Sequence, residues 1–148
     1  PLSNPTSKCE AAPADLIEWT EGRGLIATGT AFPDVEYKGK TYKIGQCNNY
    51  YIFPAMGLGI LSSKAKRVTD TMFLAAAEGL AALSPALKSE GAPLFAPPSR
   101  VREIAKILAF EVARQAMKDH VAPILSDEDL QKAIENTIWT PESRPIEP

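Results

Sequence analysis

Apolar residues recur every three or four positions in two long segments of the chain, which is the spacing of an amphipathic helix. The first segment follows Thr69, a predicted N-cap, and ends before Pro85, because a proline restricts the residue in front of it. Its predicted inward face is Phe73, Ala76, Ala77, Leu80 and Leu83. The second segment follows a predicted cap at Ser99 and ends near Asp119. Its predicted buried stripe is Val101, Ile104, Ala105, Leu108, Val112 and Ala116, widened by Ile107.

A third helical segment, residues 55–61, is apolar on every side. A helix of this kind is expected to be buried. Pro54 stands directly before it, so we expect the helix to begin near Pro54 or to be kinked there. Its predicted end lies between Ser62 and Ala65.

Local signals predict two shorter helices and an extended tail. Pro13 suits the first position of a helix that would end by Gly22. The pattern Ser126-x-x-Asp129 resembles a capping box and opens a last helix that extends to about Asn136. The proline-rich residues 139–148 are expected to be extended and docked through Trp139.

Short strands are predicted in the first third of the chain. Residues 25–28 form an apolar run between two glycines, which is typical of a buried strand in a parallel sheet. Residues 35–37 and 41–43 alternate in polarity around a glycine turn and predict a hairpin. Leu2-Ser3 resembles the end of a buried strand that enters a turn at Asn4-Pro5. One strand end cannot form a sheet, so we interpret the chain as a piece of a larger protein.

Composition excludes several classes of function. The chain has 148 residues, a length typical of a single domain. Its 16 basic and 18 acidic residues give a net charge of −2. This balance does not favour nucleic acid or a membrane surface as a partner. No apolar run reaches the roughly 18 residues that a transmembrane helix needs, and we find no signal peptide. Cys9 and Cys47 are too few for a disulfide framework and indicate free thiols in a reducing compartment, the cytoplasm.

The familiar catalytic motifs are not found in this sequence. It has no glycine-rich dinucleotide fingerprint, no P-loop, no Cys-x-x-Cys and no His-Glu-x-x-His. His120 is the single histidine and cannot form a metal site or a catalytic triad by itself, so we interpret it as structural. The acidic residues fall mostly on predicted helix surfaces. The residues alone therefore do not identify a reaction.

Asn48 and Asn49 stand at the mouth of the apolar helix and are the main candidate for a binding function. Asparagine is a common N-cap, because its side-chain oxygen accepts a hydrogen bond from a free main-chain N–H. The same two side chains could present neutral amides to a ligand. Spacing does not decide between the two interpretations.

Several segments of the chain closely resemble the C-terminal third of malic enzymes. They are Ser-Asn-Pro-Thr at 3–6, Trp-Thr-Glu-Gly-Arg at 19–23, Gly-Gln-Cys-Asn-Asn at 45–49, Tyr-Ile-Phe-Pro at 51–54, and residues 69–77 and 101–104. They occur in the family's order and spacing and cover nearly the whole chain. The sequence departs from the family at Cys47, where glycine is frequent, and at Tyr50, where a smaller residue is common.

The resemblance implies an α/β fold: the C-terminal part of a Rossmann-type dinucleotide-binding domain, in a piece that is itself mostly helical with a few short strands. Residues 1–120 would belong to the NAD(P)-binding domain, and residues 121–148 to a C-terminal helical extension and tail. The family converts malate to pyruvate and CO₂ with NAD or NADP and a divalent metal, Mg or Mn. By the match, Asn4, Asn48 and Asn49 contact malate, and Asn4 and Asn48 also contact the cofactor.

The resemblance also implies what the piece lacks. The family's catalytic Lys and Tyr, its metal-binding carboxylates and its dinucleotide fingerprint lie upstream, so we expect no catalytic residue here and no activity of the piece alone. The expected partners are malate, the rest of the same polypeptide and further copies in a homo-oligomer. Two alternatives stay open: a helical scaffold or interaction module without catalysis, and a malolactic enzyme, which shares the motifs but releases lactate.

Overall fold

The computed structural model describes residues 1–141, which contain five α-helices and four short β-strands. The helices are α1 (Pro13–Trp19), α2 (Phe53–Ser63), α3 (Asp70–Ala82), α4 (Val101–Lys118) and α5 (Asp127–Thr137). The strands are β1 (Ala27–Thr28), β2 (Val35–Tyr37), β3 (Lys40–Tyr42) and β4 (Gly45–Gln46). Single 3-10 turns occur at Thr6–Lys8, Asn49–Tyr51, Pro85–Leu87 and Pro98–Arg100. The prediction of a mostly helical chain with a few short strands is confirmed.

Strands β1 and β4 form a parallel pair in which Ala27 faces Gly45 and Thr28 faces Gln46. The strand predicted over residues 25–28 is thus shortened to its last two residues. The start of the chain lies beside β1, because the N–H of Gly29 donates to the carbonyl of Pro1 at 3.0 Å. Leu2 is 60% exposed, so the prediction of a buried strand end there is wrong for this chain.

Strands β2 and β3 form the predicted hairpin, with Val35 opposite Tyr42. Lys38 and Gly39 connect them with φ angles of 49° and 77°. Two successive residues with positive φ match the right-handed twist of the flanking strands. The second strand begins one residue earlier than predicted.

Helix α4 lies at the centre of the helical layer and packs against α2, α3 and α5. Its buried residues are Ile104, Ala105, Leu108, Ala109, Val112, Ala113 and Ala116. The predicted stripe is therefore confirmed over most of its length, although Ile107 is 40% exposed. Leu130 and Ile134 of α5 join Leu58 of α2 in the same core, so α5 is appended to this layer and does not form a core of its own.

The predicted inward face of α3 is partly wrong. Thr69 caps the helix as expected, with its hydroxyl oxygen accepting from the N–H of Met72 at 3.3 Å. The buried residues are Met72 and Ala76, whereas Phe73 is 43% exposed and Ala77 is also exposed. The helix is apolar on several sides and carries three consecutive alanines. Spacing therefore does not determine which side faces α4.

The start of α4 also differs from the prediction. Ser99 lies within the 3-10 turn Pro98–Arg100, and Arg100 occupies the N-cap position without a side-chain hydrogen bond that caps the helix. Pro97 and Pro98 restrict the main chain at this point. The helix consequently begins after the turn, and Ser99 is not its cap.

Helix α2 begins at Phe53 with Pro54 in its first turn and ends at Ser63, as predicted. It is not buried on every side, because Phe53 is 58% and Leu61 is 67% exposed. No element within residues 1–141 covers these two side chains.

The two short helices agree with their local signals. Helix α1 begins at Pro13 and ends at Trp19, three residues before Gly22. The Ser126 hydroxyl accepts from the N–H of Asp129 at 3.1 Å and caps α5. His120 follows α4 in a left-handed conformation with a φ of 57°.

The tail does not dock through an aromatic ring. The Trp139 side chain is 69% exposed, and the contact is instead a hydrogen bond of 2.9 Å from Arg102 Nη2 to the Trp139 carbonyl. The predicted course of residues 142–148 lies outside the described residues. Among the helices that the structure describes, none has both the length and the apolarity to cross a bilayer.

Candidate functional site

Asn48 lies two residues beyond the carboxyl end of β4 and caps the 3-10 turn that leads into α2. Its Oδ1 accepts a hydrogen bond from the N–H of Tyr50 at 3.1 Å. The cap uses only the carbonyl half of the side chain. The amide Nδ2 has two N–H donors, and neither is bonded to another group within residues 1–141. Asn48 can therefore cap the turn and bind a ligand at the same time.

Asn49 and Asn4 are exposed, and within the described range their side chains make no hydrogen bond. Asn49 is the first residue of the 3-10 turn, next to Asn48. Asn4 lies in the turn after the first residues of the chain. The nearby Ser3 hydroxyl donates to Glu10 Oε1 at 2.8 Å, which ties this turn to the segment that precedes α1.

Hydrogen bonds place the segments of all three asparagines at one edge. The N–H of Cys47 donates to the Thr28 carbonyl at 2.8 Å, and Gln46 Nε2 donates to the Gly29 carbonyl at 3.3 Å. On the other side of β1, the hydroxyls of Thr6 and Thr30 lie 3.0 Å apart. The turns that contain Thr30 and Asn48 therefore follow the parallel strands β1 and β4, and the turn that contains Asn4 lies beside them. This edge is where ligands bind in open α/β sheets.

Tyr51 anchors the asparagine pair to the helical core. Its side chain is 1% exposed and its ring stacks on Phe95 with centroids 5.5 Å apart. Its hydroxyl donates to the Ala96 carbonyl. Burial is the main cause that raises the pKa of Tyr51, so the phenol stays protonated and remains a donor. The sequence analysis did not single out this contact, because Tyr51 and Ala96 lie 45 residues apart in the chain.

The arrangement can bind an anion with neutral donors. Carboxamide N–H groups can hydrogen-bond a carboxylate without adding charge, and the main-chain N–H groups at the start of a helical segment favour an anion as well. No group of three or more His, Cys, Asp or Glu residues within 1–141 is placed to hold a metal ion. A cavity of about 560 Å³ lies elsewhere, at the amino ends of β1 and β4, and none of the three asparagines lines it.

Comparisons with known proteins agree on one family. A family model described as "Malic enzyme, NAD binding domain" matches residues 1–117. The chain is 51% identical over 144 residues to an NAD-dependent malic enzyme of Acinetobacter baylyi, covering 97% of this chain and 25% of that protein. It is 48% identical over 144 residues to the NAD-dependent malic enzyme of Proteus mirabilis, covering 97% of this chain and 26% of that protein.

A solved structure supports the fold. The chain matches the crystal structure of Entamoeba histolytica malic enzyme with a TM-score of 0.64 and 27% identity, covering 86% of this chain and 24% of that one. The chain thus spans about a quarter of the length of the relatives that it matches.

Proposed function

The chain belongs to the malic enzyme family, and from that premise we propose that the whole protein oxidatively decarboxylates malate to pyruvate and CO₂ while it reduces NAD. The relatives at 51% and 48% identity are named as NAD-dependent, which favours NAD over NADP. This chain would supply one wall of the active site, and the rest of the polypeptide would supply the others.

The proposal rests on the observation that Asn48 uses only the oxygen of its carboxamide group for capping. Its Oδ1 is engaged by the N–H of Tyr50, so Nδ2 is held in place with its two donors unused. Asn49 adds a second carboxamide at the next position. A donor held in place at Asn48, with a second carboxamide beside it near the carboxyl end of a parallel strand, suits a dicarboxylate substrate.

In this proposal Asn4, Asn48 and Asn49 bind and orient malate, and Asn4 and Asn48 also contact the nicotinamide end of the cofactor. NAD, when bound, supplies the acceptor for the hydride that leaves C2 of malate. The asparagines keep the substrate carboxylates in a fixed orientation relative to that acceptor, and positioning of this kind lowers the barrier by reducing the entropy lost at the reaction step. No residue of this chain is assigned a proton transfer.

The remaining parts of the site are assigned to the rest of the polypeptide. A divalent metal, Mg or Mn, would act there as a Lewis acid on the substrate oxygens. Without those parts the chain alone would be inactive. We keep as proposals a cytoplasmic location, which both free cysteines favour, and a homo-oligomer. The division at residue 120, close to the end of α4 at Lys118, is also a proposal.

The test is steady-state kinetics of the whole protein with malate, NAD and manganese. Replacing Asn48 or Asn49 by Ala removes a hydrogen bond to a charged ligand, which is worth about 1.5–3 kcal/mol. We expect kcat/KM for malate to fall roughly tenfold to a hundredfold in each variant. Asn136→Ala, which changes an exposed asparagine on α5, is the matched control and should have the wild-type value.

Two outcomes would contradict the proposal. Wild-type kinetics in both variants would limit the asparagine pair to its capping role. Release of lactate in place of pyruvate and reduced NAD would identify a malolactic enzyme, and a protein without any turnover of malate would favour a scaffold.

A further inference from the structure

The cavity of about 560 Å³ lies at the edge of the sheet opposite to the asparagines. It is lined by the residues that precede β1 and β4, by the turn after α1 and by the loop 86–92. Because β1 and β4 are parallel, their amino ends face this cavity and their carboxyl ends face Asn48. Its volume falls within the roughly 300–1,000 Å³ of small-molecule sites.

The floor of the cavity is apolar. Ile17, which is 1% exposed, lies there with Ile26 and Ile44. The Tyr42 ring forms part of the wall and packs edge-on against Tyr37, with centroids 6.5 Å apart. This surface suits the carbon skeleton of a ligand.

A glycine lets this wall close against the turn after α1. Gly22 has a φ of 78°, and a Cβ atom there would lie 2.3 Å from the Tyr42 hydroxyl oxygen. Any side chain at this position would displace the Tyr42 ring. The segment 19–23, which supports the sequence resemblance, therefore shapes this cavity and not the edge that carries the asparagines.

The rim of the cavity is positively charged. Three cations line it, Arg23, Lys43 and Lys88, together with a single carboxylate, Glu90. That carboxylate is already paired with Lys40, and the hydrogen bond from Lys40 lowers the pKa of Glu90. Glu90 is thus neutralised by a fourth cation outside the lining, although the chain as a whole has a net charge of −2.

Arg23 is positioned to bind a ligand. Its Nε donates to the Thr20 carbonyl at 3.2 Å, which fixes the start of the guanidinium group. The terminal nitrogen Nη2 has only a contact of 3.8 Å with Glu21, and both side chains are more than two-thirds exposed. Exposed pairs of this kind contribute little, so the terminal N–H groups remain available to an incoming anion.

We propose that this cavity binds a small phosphorylated ligand, with its phosphate group at Arg23, Lys43 and Lys88 and its carbon skeleton on the apolar floor. A phosphate group carries close to two charges and has three strong acceptor oxygens, which matches three cations better than a single carboxylate would. The site lies across the sheet from the asparagines. It therefore does not depend on the proposed reaction.

The test is isothermal titration calorimetry of the whole protein with phenyl phosphate, which combines a phosphate group with an apolar ring and resembles neither malate nor NAD. We expect phenyl phosphate to bind, inorganic phosphate to bind more weakly, and phenol to give no measurable binding. Affinity should fall as ionic strength rises, because the charged rim is exposed. Equal affinity for phenyl phosphate and inorganic phosphate would contradict the proposal that the apolar floor binds the carbon skeleton of the ligand.

Variants locate the site. Arg23→Gln and Lys43→Gln should each weaken phenyl phosphate binding at least about tenfold, the loss expected for one charge-assisted hydrogen bond. Lys106→Gln removes an exposed cation of α4 that does not line the cavity and should bind as wild type does. No binding by the wild-type protein, or an equal loss in all three variants, would overturn the proposal.

The proposal of a phosphate site in the cavity and the proposal of malate turnover can be disproved independently of each other. Asn49→Ala should leave phenyl phosphate binding unchanged. A loss of binding in that variant would indicate that phenyl phosphate binds beside the asparagines. It would contradict the proposed phosphate site in the cavity, whatever the result for malate turnover.

Discussion

At the scale of single residues, two adjacent tyrosines have buried hydroxyl groups that differ in whether they have a hydrogen-bond partner. The Tyr51 hydroxyl donates to the Ala96 carbonyl. The Tyr50 hydroxyl is also buried, but it has no hydrogen-bond partner in the part of the chain that the structure describes. A buried polar group without a partner costs free energy, whereas a satisfied one contributes to stability. The same substitution should therefore have opposite consequences at the two positions.

Tyr51→Phe removes a donor and leaves the Ala96 carbonyl unpaired, so we expect the free energy of unfolding to fall by about 1–3 kcal/mol. Tyr50→Phe removes an unpaired hydroxyl and should be neutral or slightly stabilising. Urea unfolding of the chain at one fixed protein concentration measures both. Equal losses in the two variants would show that the hydroxyls are not distinguished by their partners.

The asparagines show how far residue-level prediction can go. Sequence alone offered a cap at Asn48 or Asn49 as one of two interpretations, and the structure places the cap at Asn48, where Oδ1 accepts from the N–H of Tyr50. The sequence could not show that the cap leaves Nδ2 unused, nor that hydrogen bonds through Gly29 and Thr30 bring the Asn4 turn to the same edge. Those facts depend on long-range pairing. The assignment of the three side chains to malate stays a prediction.

At the scale of elements, most local signals were confirmed, whereas the cap predicted at Ser99 and the inward face predicted for α3 were wrong. The caps at Thr69 and Ser126 are confirmed, since each depends on residues within one turn. The inward face of α3 was wrong at Phe73, because a helix with apolar residues on several sides has no unique face until its neighbour is known. Packing on α4 selects Met72 and Ala76.

The contact between α2 and α4 is close because α2 carries a glycine at the interface. A Cβ atom on Gly59 would lie 2.7 Å from the Ala109 carbonyl oxygen and 2.8 Å from Val112. Gly57, two positions away on the same helix, has nothing within 4 Å of its Cβ position. Alanine substitutions at Gly59 and Gly57 therefore distinguish the effect of packing from the effect of helix propensity.

We expect Gly59→Ala to lower the free energy of unfolding by about 1–3 kcal/mol, because the added methyl group forces the two helices apart. Gly57→Ala should raise it by roughly 0.5–1 kcal/mol, since alanine is the better helix former and no clash opposes it. Chemical denaturation of both variants, followed by circular dichroism, gives the comparison. Stabilisation by Gly59→Ala would mean that α2 and α4 do not approach as closely as described.

At the scale of the whole molecule, the chain exposes more surface than a compact protein of its size. Its accessible surface is 9547 Å², whereas a compact monomer of 16.0 kDa should expose about 7,400 Å². The exposed apolar side chains include Leu25, Trp19 and Leu61, each at 66–69%. Since the chain spans about a quarter of its relatives, the missing cover is expected to come from the rest of the polypeptide.

Without that cover the isolated chain should self-associate. Contiguous apolar patches are unusual on soluble monomers and promote contact, and the pair β1–β4 leaves unpaired strand edges that favour further pairing. We expect the sedimentation coefficient in analytical ultracentrifugation to rise with concentration, together with binding of a hydrophobic dye. Leu61→Ser, which changes a side chain 67% exposed on α2, should reduce both, whereas Lys106→Ser on the exposed side of α4 should not. A monomer at every concentration without dye binding would show that the isolated chain buries its apolar surface without further cover.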